Sequence, residues 1–174
     1  MIILLIGFIL RLVLSIYNIN YEFLPGASFD AVKFHNEGTW FKHYLETGEY
    51  IGRYEPPEDG GYVYKVGWIF GVYLGYLYFL FGTSHLMTSI ISVFVWLMSA
   101  LILKNILERI KTNKFNINLA LLFYTFALPT TIIYSIITLR EPYMLLIINL
   151  IVLQIIILKD QKNYFKILMN LIFI

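Results

Sequence analysis

The chain has no cysteine, which excludes a disulfide framework and a thiolate metal site. Charge is also scarce. Only 14% of the 174 residues are Asp, Glu, Lys or Arg, and a formal balance of +2 is too small to point to nucleic acid. Walker loops, dinucleotide fingerprints and Asn-x-Ser/Thr acceptor sites are missing as well. Apolar side chains are abundant instead, at 59% of the residues with a mean hydropathy of +0.73, well beyond a water-soluble domain of ordinary composition.

Long apolar runs carry this surplus. A helix needs roughly 20 apolar residues to cross about 30 Å of hydrocarbon, and several runs come close to that length. Strands of a membrane barrel would alternate polar and apolar residues, and no such alternation is present. The expected fold is therefore an all-α integral membrane protein, a bundle of transmembrane helices with a large outer loop. The spans fall at Met1–Tyr17, Leu86–Leu107, Leu119–Thr138 and Tyr143–Leu158. A further apolar stretch starts at Tyr164 and reaches Ile174 before it is long enough to span, which reads as a truncated chain. The first run lacks a basic lead and a small-residue cleavage site, and Arg11 interrupts it, so it reads as a retained helix rather than a signal peptide.

Basic residues set the orientation. Lys104, Arg109, Lys111 and Lys114 face only Glu108, and Lys159, Lys162 and Lys166 face only Asp160. Both turns read as cytoplasmic, and the acidic segment 18–85 as extracytoplasmic. Counting Gly61–Phe81 as another span breaks this agreement. Residues 62–81 therefore read as an interfacial helix, rich in Tyr and in Trp68, with Gly67, Gly71 and Gly75 spaced for close packing. An ordinary spanning helix with the same glycine spacing is the alternative.

A second amphipathic helix is expected over about 29–46, with Ser28 as its N-cap and Phe34, Phe41, Tyr44 and Leu45 resting on the membrane surface. Asp30 lies in its first turn, where the helix dipole favours a carboxylate. A simple capping role would explain it equally. Glu141 sits between two apolar helices, after Arg140 and before Pro142, a costly place for charge. An interfacial Arg–Glu pair with a capping role is the plain alternative. Arg11 either snorkels to the surface or balances a carboxylate inside the bundle. His35, His43 and His85 are too scattered to argue a zinc site and read as interfacial polar residues. Two carboxylates on one side, with cations nearby, suit a hard cation such as Mg²⁺ or Mn²⁺, or general-base attack with neutralisation of a phosphate leaving group.

The order of these parts resembles the amino-terminal half of the membrane-embedded C-type glycosyltransferases, the superfamily of protein mannosyltransferases and aminoarabinose transferases. The matching segments are Asp30-Ala31-Val32-Lys33-Phe34-His35, then Tyr62-Val63-Tyr64-Lys65 through Phe81-Gly82, then Pro129 ahead of Glu141. The resemblance implies catalytic roles for Asp30 and Glu141, with a metal at the same two carboxylates, and contacts from Lys65, Arg140 and Arg11 to a lipid-linked phosphate. It further implies a polyprenyl-phosphate-linked sugar donor and a glycan, lipid or protein acceptor. The site would face outward from the bacterial inner (plasma) membrane. Many relatives have Asp-Glu where this chain has Asp30-Ala31, and Asp in place of Glu141. The soluble domain that some carry after the spans is not present. A polymerase or ligase of envelope polysaccharide, and a non-catalytic transport subunit with Arg11, Asp30 and Glu141 lining a polar path, are the rival readings.

Overall fold

The computed structural model describes residues 1–21, 28–49, 67–127 and 129–160. Among the described residues every regular element is helical: α1 Ile2–Tyr21, α2 Ser28–Thr47, α3 Gly67–Phe81, α4 His85–Arg109, α5 Lys114–Leu122, a π-helical turn Phe123–Ala127, α6 Pro129–Ile136 and α7 Glu141–Asp160. Three of these, α1, α4 and α7, are long and apolar enough to cross a membrane. Their long apolar runs leave the backbone no better way to satisfy its amides away from water than the helix itself.

Local signals fix the ends of α4. Ser84 is its N-cap, accepting from the Met87 amide at 3.2 Å. At the other end Lys111 and Thr112 donate backwards to the carbonyls of Glu108 and Leu107, a Schellman closure with Lys111 at φ 58°. Asn113 then caps α5 through the Asn116 amide at 2.8 Å.

Packing pairs give the topology. Leu4 packs with Trp96, Ala100, Ile117 and Leu121, whereas Phe8 meets Phe94 and Arg11 meets Ser135. Helix α1 thus runs against α4 and alongside α5–α6. Thr88 bonds Thr138 and Ser99 bonds Asn149, both fifty residues apart, so α4 and α7 are parallel. The segments alternate in direction. One end of the bundle gathers Met1, the Lys104–Lys114 turn and Lys159; the other gathers α2, α3 and the turn 137–140.

The segment expected as one span over Leu119–Thr138 is helical from Lys114 but is not one helix. It runs from α5 into the π turn, which is described to Ala127, and α6 covers Pro129–Ile136, residue 128 lying outside the described residues. Pro129 has no amide to give the carbonyl of residue 125, which accounts for the π turn ahead of it.

The second departure concerns α2. Phe34 meets the Phe70 ring at 5.1 Å and Phe41 meets Tyr76 at 5.4 Å, so these two of the four residues expected on the membrane surface pack on α3, while Tyr44 stays exposed. Glycines make this possible. A Cβ on Gly75 would lie 2.6 Å from Phe41 Cδ1, and one on Gly38 2.8 Å from Leu74 Cβ. Phe34, edge to face on Phe70, is 5% exposed. The described part of α3 is 15 residues, a rise of about 22 Å, shorter than the hydrocarbon core. Residues 62–66 of the expected interfacial helix, and the stretch after Tyr164, lie outside the described residues.

Candidate functional site

The turn 137–140 closes the end of the bundle that carries α2 and α3. Ile137, Thr138 and Leu139 are buried, and Thr138 is held by a 2.6 Å hydroxyl–hydroxyl hydrogen bond to Thr88. That anchorage fixes where α7 starts. Glu141 is its first residue, and the Arg140 carbonyl receives the amides of Tyr143 and Met144. The carboxylate thus lies in a first turn, where the dipole favours it, as Pro142 suggests from sequence.

Arg140 and Glu141 face each other at 3.8 Å and are both half-buried, with Glu141 Oε2 buried and without a hydrogen-bond partner among the described residues. Such a pair contributes at most about 1 kcal/mol, so its effect is to orient rather than to stabilise. The Arg140 guanidinium also lies over the Phe34 ring, 6.0 Å from its centre. Phe34 is four residues beyond Asp30 on α2, hence on the same helix face one turn away. Asp30 itself is exposed. The chain therefore brings the helix of Asp30 and the tripeptide Leu139-Arg140-Glu141 to one end of the bundle. Lys65 lies outside the described residues.

Arg11 is not brought to this end. It is wholly buried between α1, α4 and the interrupted helix, with Nε donating to Ser135 Oγ at 2.9 Å, one terminal nitrogen to the Thr125 carbonyl at 2.9 Å and the other to the Gly7 carbonyl at 3.2 Å. Its guanidinium stacks 3.6 Å above Trp96. It meets no carboxylate among the described residues, so it neither snorkels nor balances an acid. An arginine at the middle of a span costs about 3 kcal/mol, and three charge-assisted bonds at about 1.5 to 3 kcal/mol each offset that.

Sequence spacing gave no hint of a second polar cluster beside the turn. His35 and His85 stack at 3.4 Å between ring centres, and His35 Nδ1 shares a 2.8 Å hydrogen bond with the buried Tyr78 hydroxyl, which also contacts Thr88. Desolvation, followed by the neighbouring His85, lowers the His35 pKa to about 4. The nearest signal was positional: His35 is one residue past Phe34, and Tyr78 and His85 flank the break between α3 and α4.

Among the described residues no group of three or more His, Cys, Asp or Glu converges on a point. Asp30 and Glu141 are two carboxylates at most, a set that suits Mg²⁺ only when substrate phosphate and water complete the shell. No protein-family model matches this chain, nor does any curated protein or solved structure.

Proposed function

We propose that the chain is the membrane-embedded part of an enzyme that moves a glycosyl group from a polyprenyl-phosphate-linked sugar to an acceptor at the outer face of a bacterial inner membrane. The observation that supports this reading most is the Arg140 guanidinium over Phe34, one turn from Asp30 and beside Glu141. An acid and a cation at the end of an apolar bundle suit a donor whose lipid lies in the bilayer and whose phosphate lies at its surface.

In this reading the Asp30 carboxylate takes the proton of the acceptor hydroxyl. The oxygen forms a bond to the anomeric carbon as the bond from that carbon to the phosphate oxygen breaks. The electron pair leaves with the polyprenyl phosphate, and configuration at the carbon inverts. Arg140, with Lys65, offsets the charge that grows on the departing phosphate. Glu141 holds Arg140 in orientation. A bound Mg²⁺ or Mn²⁺, held by Asp30 and Glu141, would add to that neutralisation. Asp30→Asn, assayed in membranes with a labelled lipid-linked sugar, is expected to lower transfer by about 10² to 10⁴ while expression and insertion persist. Full activity in that variant would remove Asp30 from the reaction.

A second reading, a transport subunit, is favoured by one observation. Arg11 lies at the π turn, and Ser15 Oγ, Thr125 Oγ1 and Trp96 Nε1 are buried there without a hydrogen-bond partner among the described residues. Loss of transport in Arg11 variants, with lipid-linked sugar turnover unchanged, would select it.

A further inference from the structure

The end of the bundle opposite Asp30 carries its own chemistry. Because α4 and α7 are parallel with a fifty-residue offset, Arg109 and Lys159 close the same end. The α4–α5 turn adds Lys111 and Lys114, and α1 begins there. Lys104 is neutralised by Glu108 at 2.8 Å. Arg109 donates its Nε to Asn105 Oδ1. Arg109, Lys111 and Lys114 have no acidic partner among the residues whose side chains are described, which end at Lys159.

Apolar side chains stand beside these cations. Phe115 is 74% exposed and Ile110 55%, directly flanking Lys111 and Lys114. Cations next to protruding apolar groups match the boundary between a phosphate headgroup and its acyl chains. The backbone at Lys111 supports the same point. Its φ of 58° is a conformation in which glycine would sit without strain, yet the residue present is a lysine.

We propose that this surface binds the headgroup of an anionic phospholipid, with Arg109, Lys111 and Lys114 on the phosphate and Phe115 and Ile110 at the acyl boundary. The proposal is independent of the glycosyl-transfer reading. The test is lipid retention by the purified chain, measured by native mass spectrometry with phosphatidylglycerol against phosphatidylcholine. Wild type is expected to retain phosphatidylglycerol preferentially, and raising the salt should erase the preference. Lys111→Gly with Lys114→Gln keeps the turn geometry and should weaken retention about fivefold for each cation removed. Equal retention of the two lipids by wild type would overturn the proposal. So would an unchanged preference in the double variant, or full displacement of the lipid by inorganic phosphate.

Discussion

Arg11 stands in for a backbone amide that Thr125 has lost. Pro129 lies four residues after Thr125 and has no N–H, and the Thr125 carbonyl instead receives the Arg11 guanidinium at 2.9 Å. The same side chain reaches Ser135 in α6, so one residue of α1 ties the π turn to α6. Arg11→Met should lower the stability of the solubilised chain by about 1 to 3 kcal/mol, read from thermal unfolding. In a Pro129→Ala background, where an amide is available again, the same change should cost about 1 kcal/mol less. Equal costs in the two backgrounds would refute the substitution.

Gly7 is required by the same junction. A Cβ there would collide with the Thr125 methyl, so Gly7→Ala should destabilise the chain. Thr125→Ser removes that methyl and should recover most of the loss in the double variant. Unfolding temperatures of the two single variants and the double one decide this.

The His35–His85 stack makes the attachment of α2 sensitive to acid. His35 has a pKa lowered from 6.5 to about 4, so between these values the unfolded chain binds more protons than the folded one. The stabilisation from neutral His35 is complete above about 6.5 and is lost as pH falls towards 4. The protection of α2 amides, taken relative to their intrinsic exchange rate at each pH, should therefore fall over that interval. His35→Asn should flatten the dependence, and an unchanged pH profile in that variant would contradict the assignment.

Much of this fold is legible in the residues. The apolar runs of α1, α4 and α7 give spans whose bounds differ from the structure by a few residues, and the basic turns give the alternation of direction that the packing pairs also require. Pro142 likewise marks the start of α7. The contacts between distant segments are not legible. Arg11 meets residues 114 and 124 positions away, and nothing local to it says that a carbonyl, not a carboxylate, is its partner. The one available signal was Pro129, which leaves an acceptor unfilled inside an apolar segment. Phe34 and Phe41 look as suited to a membrane surface as to α3, since helical periodicity gives a face and not its neighbour. His35 and His85 are fifty residues apart, and their stacking depends on how α3 returns to α4.

The most direct test of the shared site is the side of the membrane from which its two acids are reached. No native cysteine interferes, so Asp30→Cys, Glu141→Cys and, as a reference, Lys111→Cys can each be labelled with a membrane-impermeant maleimide in sealed vesicles. Asp30→Cys and Glu141→Cys are expected to react from one side and Lys111→Cys from the other. Reaction of the first two from opposite sides would contradict the account.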